Sequence, residues 1–375
     1  MRYRPLGKTG VNISTLGFGA MRLPTVKTGD KEVFDQEESI RMIHRYLELG
    51  GNYVDTAPYY CEKESEIIVG KALKGRRDQV FLSTKNPVEN SSGDDFLKRL
   101  ENSLTRLDTD YIDFYHMWGI GWKDFTESID VKNGPLTAAR NALDQGLIRH
   151  LSFSFHDDPE NMIKLVDTGV FETVLCQYNL LDRSNEAGIR RAAEKGLGVI
   201  IMGPVGGGRL GYPSEVIQGL LKTQRASNPE LALRFVLSHP GVDCALSGMS
   251  SMAMVEENCA TSDRAEELTT HELEQISLSL DENKRLADLY CTGCNYCMPC
   301  PHEVNIPLNF SLMNHHRVYG LTDHARTEYG KIGTVEWLKG KPASACVECR
   351  ECEPKCPQHI PIIAQLKETH RTLSP

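Results

Sequence analysis

The chain has 375 residues, 40% apolar and 25% charged, enough to bury a sizeable core and too many for one small domain. Its formal charge of −9 is spread without a basic stripe, which excludes nucleic acid and an anionic membrane surface and leaves small molecules and proteins as partners. Neither an apolar core in MRYRPLGKTGVNIS nor a run of about 18 apolar residues points to export or insertion, so a cytoplasmic protein with reduced thiols is expected.

In chain order, eight short β-rich runs alternate with stretches of helical period: ISTLGFGAM (13–21), NYVDTA (52–57), VFLSTK (80–85), YIDFYHMW (111–118), IRHLSFSF (148–155), TVLCQYN (173–179), GVIIMGP (198–204) and CALSGM (244–249). Between them ESIRMIHRYLELGG, DDFLKRLENSLTRL, NMIKLVDTG and NEAGIRRAAEKG space their apolar residues as amphipathic helices do, and several close on a glycine suited to a helix C-cap. Strands alternating with helices predict right-handed βαβ units. Eight of them in about 250 residues predict an α/β fold of the (β/α)8 TIM-barrel type, with an open doubly wound sheet as the alternative.

In such a barrel the chemistry lies at the C-terminal ends of the strands. Asp55 and Tyr60 follow the second run, Lys85 ends the third, and His116 and Trp118 end the fourth. After the seventh comes GPVGGGRLG, whose Gly203, Gly206, Gly207 and Gly208 make a turn where barrels often hold phosphate. The loop GIGWKDFTESIDVKNG after the fourth run is expected to shape a substrate pocket.

GKTGVNISTLGFGAMRLP, NYVDTAPYY, FLSTK, RLDTDYIDFY, ALRFVLSHPGVD and VEENCA, in that order, resemble the aldo-keto reductases over residues 1 to about 285. The resemblance implies a barrel that binds NADPH or NADH without a Rossmann domain, reduces aldehydes and ketones, and uses an Asp, Tyr, Lys and His tetrad. Asp55, Tyr60 and Lys85 match three members. A phenol of ordinary pKa ~10 becomes a useful acid near neutral pH when a cation stabilises its anion. Lys85 is expected to do this for Tyr60, with Asp55 orienting Lys85. The plain alternative is an interior ion pair filling the barrel mouth.

The family's histidine position holds Trp118 here, and His116 lies two residues earlier, on the same side and about 6 to 7 Å deeper at ~3.3 Å per residue. His116 is the fourth candidate, with Trp118 as a pocket wall. The residues that flank the nicotinamide in the family align with Leu175 and Met202, and Gln177 shares the side of Leu175. Gly248, Met249 and Met254 stand where NADPH-preferring members offer Lys, Ser and Arg to the 2′-phosphate, so NADH is expected over NADPH. Glu257 and Asn258 match the pair that holds adenine.

Twelve cysteines divide unequally. Cys61, Cys176, Cys244 and Cys259 are scattered and read as small buried apolar residues. The other eight form CTGCNYCMPCP (Cys291, Cys294, Cys297, Cys300) and CVECRECEPKCP (Cys346, Cys349, Cys352, Cys356). The second spacing is that by which three cysteines wrap one iron–sulfur cube while the fourth reaches another. Zinc, which takes four ligands, is the alternative. IPLNFSLMNHHRVYG and HARTEYGKIGTVEWLKG between them read as helices, so residues 286–375 resemble a mainly α-helical, two-cluster ferredoxin-like domain after a barrel at 1–285. The crosswise rule of that family implies that Cys291, Cys294, Cys297 and Cys356 hold one [4Fe-4S] cluster and Cys346, Cys349, Cys352 and Cys300 the other. His302, His315, His316 and His324 are expected at the surface.

Together these readings describe an oxidoreductase that reduces a carbonyl with NADH or NADPH and exchanges electrons with a protein donor or acceptor through two clusters. The alternatives are an electron-transfer protein whose barrel no longer reduces carbonyls, and a redox-sensing subunit with structural clusters.

Overall fold

The computed structural model describes residues 1–29, 31–220, 227–264, 267–286, 291 and 293–374. Strands and helices alternate: β1 (Leu16–Gly19), α1 (Gln36–Glu48), β2 (Tyr53–Asp55), α2 (Ser65–Leu73), β3 (Phe81–Pro87), α3 (Gly93–Leu107), β4 (Ile112–Trp118), α4 (Pro135–Asp144) and β5 (Ile148–Ser154). There follow α5 (Pro159–Asp167), β6 (Thr173–Gln177), α6 (Glu186–Lys195), β7 (Gly198–Met202), α7 (Asn228–Leu237), β8 (Cys244–Gly248) and α8 (Met252–Asp263). Every barrel strand pairs in parallel with its neighbours and the sheet closes on itself, the (β/α)8 barrel expected from the alternation. Its strands are buried on both faces, which is why they read as continuous apolar runs.

Local chemistry starts and stops the helices. Asp35 caps α1 by accepting from the Glu38 N–H at 2.9 Å, and Ser92 caps α3 by accepting from Asp95 at 3.2 Å. Pro135 and Pro159 open α4 and α5, where a missing N–H costs nothing. Gly196 closes α6 at φ 82°.

The first run behaves differently from its expectation. Asn12–Ser14 pairs antiparallel with Tyr3–Pro5, and only Leu16–Gly19 enters the barrel. Between them the N–H of Thr15 donates to the carbonyl of Arg2 and its side chain meets Ser262, which turns the chain from one sheet to the other. Leu6 and Ile13 of this hairpin pack on Tyr53, Phe114, Leu175 and Ile200 and close the N-terminal end of the barrel. The open end is therefore the C-terminal one.

The chain divides into two compact units, Met1–Gly207 with Ala232–Glu267, and Gly208–Leu231 with Leu268–Pro375. The boundary expected at 285/286 falls at the end of the helix Thr270–Leu286, all of which belongs to the second unit, and not at the 267/268 division between the units. In the second unit α9 (Thr270–Leu286), α10 (Ile306–Arg317), α11 (Thr322–Tyr329) and α12 (Ile362–Leu373) are its longer helices. Its core gathers Val304, Ile306, Phe310, Met313, Ile362 and Leu366. HARTEYGKIGTVEWLKG is helical only as far as Tyr329; the Gly333 N–H then donates to the Leu338 carbonyl and the chain turns. His315 and His324, expected at the surface, are buried at 7% and 8% exposure, because their rings pack at a tilt against each other at 5.3 Å and against Tyr319 and Tyr212. No helix among the described residues is long and apolar enough to cross a membrane.

Candidate functional site

Strand register assembles the barrel site. Asp55 on β2 pairs with Ser83 on β3, and Lys85, two residues further on, pairs with His116 on β4. Residues two apart face the same side, so Ser83 and Lys85 both reach Asp55. Lys85 donates from Nζ to Asp55 Oδ1 at 2.5 Å and to the Thr56 carbonyl at 2.8 Å. Ser83 donates to Asp55 Oδ2 at 2.7 Å. Lys85 Nζ also lies 4.7 Å from the centre of the Tyr60 ring.

The carboxylate form of Asp55 is the one that satisfies both of its donors. Burial pushes the Asp55 carboxyl up, and the Lys85 charge pulls it back. Burial disfavours the Lys85 ammonium, yet Asp55 and then Tyr60 outweigh it and the pKa lies above the usual lysine value. Tyr60 is raised, because burial outweighs the lowering by Lys85. The cation expected to acidify the phenol therefore acts in that direction without winning, and Tyr60 stays protonated well beyond neutral pH.

His116 is fully buried and meets Ser83 Oγ through Nε2 at 2.9 Å. Ser83 has one proton and gives it to Asp55, so His116 must be the donor in this contact, and Nε2 carries its hydrogen. Burial, then the Lys85 charge, hold its pKa down at about 3, so the ring is neutral. It reaches Asp55 through Ser83. Trp118 packs edge-on against Tyr60 at 5.7 Å between centroids and lies 5.5 Å from the Tyr59 ring.

Two residues at this end have no counterpart among the sequence candidates apart from their position. His156 follows β5, with Cδ2 3.7 Å from where a Cβ on Gly119 would stand, and burial and the Lys85 charge hold its imidazole below the ordinary range. Its signal lay in HLSFSFHDD, two residues past the strand. Arg22 follows β1: its stem lies 3.6 Å from where a Gly248 Cβ would stand, and its Nη2 3.8 Å from that of Gly207.

The glycine turn is a run of left-handed backbone, with φ of 63°, 59°, 66° and 93° at Gly203, Gly206, Gly207 and Gly208, a shape a side chain would strain. Gln177 Oε1 stands 3.0 Å from where a Gly203 Cβ would be, so the two share one wall. Leu175 is sealed in the core, as is Met249, while Met254 is exposed. Asn258 is buried and donates to Ser247 Oγ at 3.2 Å, and Glu257 is exposed beside it.

In the second unit the cysteines surround two spaces. Cys291, Cys294, Cys297 and Cys356 line one, with Phe310 and Ile362 behind them. Cys300, Cys346, Cys349 and Cys352 line the other, and Cys297 and Ile306 face both. Asn295, Glu348 and Arg350 take left-handed backbone between the cysteines, which bends each loop around its space. The Asn314 amide of α10 donates to the Cys291 carbonyl at 3.1 Å. Burial and then the neighbouring thiols push Cys297 up to about 11, so a positive centre is needed to hold these groups as thiolates. Among the described residues no three His, Cys, Asp or Glu side chains converge on a point as a single ion requires. Thiols ringing a space against apolar side chains fit an iron–sulfur cluster in ligand chemistry.

The aldo/keto reductase family profile matches residues 15–280, and that of the 4Fe-4S dicluster domain matches residues 290–360. The uncharacterized oxidoreductase YqkF of Bacillus subtilis (strain 168) is 29% identical over 311 residues, covering 74% of this chain and 95% of its own length. L-galactose dehydrogenase of Arabidopsis thaliana is 28% identical over 311 residues, covering 76% and 95%. The holo form of an aldo-keto reductase from Bacillus halodurans matches with a TM-score of 0.65 at 30% identity, covering 74% of this chain and 96% of that one. The chain is an oxidoreductase of the aldo/keto reductase family that carries a 4Fe-4S dicluster domain after its barrel.

Proposed function

We propose that the barrel reduces an aldehyde or ketone with NADH, and that the cysteine module exchanges electrons with a redox protein through two [4Fe-4S] clusters held crosswise. The observation that carries the first part is the buried Asp55–Lys85 pair against the Tyr60 ring at the open end of the barrel. A bound nicotinamide supplies the hydride. Tyr60 gives its hydroxyl proton to the alkoxide that forms on the carbonyl oxygen, Lys85 stabilises the phenolate left behind, and Asp55 keeps Lys85 charged and in place. His116 acts as a positioning residue through Ser83.

Gln177, Gly203, Gly206, Gly207, Gly208, Glu257 and Asn258 would hold the nucleotide, with the Arg22 guanidinium on the Gly207 side suiting a pyrophosphate. The Arg22 atoms nearest Gly248 belong to its apolar stem, and Met249 and Met254 offer no charge to a 2′-phosphate, which supports NADH over NADPH. The test is steady-state reduction of an aldehyde panel by anaerobically purified protein with each nucleotide. Tyr60→Phe should cut kcat by about 10²- to 10⁴-fold while leaving NADH affinity intact. An unchanged rate in that variant removes the proposal.

One observation favours the alternative of an electron-transfer protein: Trp118 fills the place of the family's histidine and crowds Tyr60. Cluster bleaching by NADH alone, with no carbonyl reduced from the whole panel, would decide for it.

A further inference from the structure

On the flank of the barrel, between α3 and the turn that follows Tyr60, lies a cavity of about 170 Å3. Its polar wall is Lys63, Arg99, Asn102 and Arg106, and its apolar wall is Pro58, Pro87 and the Tyr59 ring; no carboxylate lines it. Arg99, Asn102 and Arg106 recur at three and four residues along α3, so one helix face presents all three.

The carboxylates nearby are committed. Glu66 is fully buried, accepting from Thr84 Oγ1 at 2.7 Å on one oxygen and from Arg106 Nε at 2.6 Å on the other. Glu89 accepts from the Tyr59 hydroxyl at 2.5 Å and stands 3.8 Å from Arg99 Nη1. Arg99 spends Nε on Asn86 Oδ1 at 2.9 Å, and its Nη2 is buried with no hydrogen-bond partner among the described residues.

We propose that this cavity binds a small organic phosphate monoester. Arg106 is paired with Glu66 and Arg99 stands against Glu89, while Lys63 has no carboxylate partner among the described residues; three cations and an amide on one wall give the three terminal oxygens of a phosphate monoester more donors than the two oxygens of a lone carboxylate can use. The guanidinium fork and the Asn102 amide supply directional donors, and the two prolines with Tyr59 take the organic remainder. Tyr59 also touches Trp118, which packs on Tyr60, so an occupant borders the reducing site without entering it.

The test titrates the full-length, anaerobically purified protein with inorganic phosphate and phenyl phosphate, against acetate and chloride at matched ionic strength, following the thermal midpoint and tryptophan fluorescence. Both phosphates should give saturable shifts, with phenyl phosphate the tighter. Arg99→Gln should weaken binding at least tenfold. Lys63→Gln, an exposed change that leaves α3 untouched, should weaken it several-fold. Lys8→Gln, at the closed end of the barrel, should leave it unchanged. Equal shifts with chloride or acetate would overturn the proposal, and so would wild-type phosphate affinity in both cavity variants, which would place the anion elsewhere, such as the glycine turn.

Discussion

Ser83 has a single proton and two neighbours able to take it, and its choice of Asp55 sets the protonation of everything around it. Asp55 stays a carboxylate, Lys85 an ammonium and His116 a neutral donor. Both members of the Asp55–Lys85 pair have side chains only 2% exposed, so removing one strands the other's charge in the interior. Lys85→Met should cost about 3 to 5 kcal/mol in urea unfolding of the barrel, and Lys85→Met with Asp55→Leu should recover part of that loss. A single variant as stable as the parent would show that the pair is not ionised. Ser83→Ala breaks the link between His116 and Asp55 without touching the mouth. It should lower kcat and move its pH profile while leaving KM near the parent value, a split that a purely structural role would not give.

At the scale of elements, the barrel is legible because each strand is a buried run that stops where helical spacing begins. The eight runs lie within one or two residues of the eight strands at most ends, and the early misplacement at Asn12–Ser14 arises because hairpin and barrel strand are contiguous. Asp55, Tyr60 and Lys85 are legible because they lie on or just past strand ends, where register brings them together. The rest depends on loops. Nothing in HDD beyond β5 or in AMRLP beyond β1 says that His156 and Arg22 return toward the open end, since that is decided by tertiary packing. The turn after Tyr60 was hidden for another reason: Cys61, Glu62 and Lys63 all take positive φ, at 51°, 53° and 77°, and none is a glycine. A left-handed residue with a Cβ costs about 1 to 2 kcal/mol, part of which glycine returns as unfolded-state entropy. Glu62→Gly, at an exposed position, should therefore raise stability by about 0.5 to 1 kcal/mol, read as a higher thermal midpoint.

Across the whole molecule, three buried histidines make acid the weak side of both units. His116 and His315 are lowered to about 3 and His324 to about 4, each first by burial. Between the ordinary value of about 6.5 and those values the unfolded chain binds protons that the native one refuses, so stability falls as pH falls through that window. Asp243, raised to about 6 by burial, has the opposite sign and offsets part of the loss, since its native form keeps a proton the unfolded chain gives up. Urea midpoints should decline from pH 7 to pH 4; a flat profile would mean these histidines are hydrated. The cysteine module makes its own prediction at this scale. With a [4Fe-4S] cluster in each space as proposed, Cys356→Ala, at the end of the second run, should halve the iron from eight to about four per chain by emptying the space lined by Cys291, Cys294 and Cys297. Loss confined to the Cys346–Cys352 space, read from Mössbauer or paramagnetic spectra, would mean that each run serves only its own cluster.

Cys297 borders both spaces. Two clusters in these spaces, with Cys297 and Ile306 bordering both, could not titrate as strangers, because an electron residing on the first repels the next. Their reduction should then unfold as two separated waves even if the centres are intrinsically alike, so that the module holds one electron readily and two only under stronger reductant. A single-electron reservoir of that kind would set the rhythm at which any partner could draw from it.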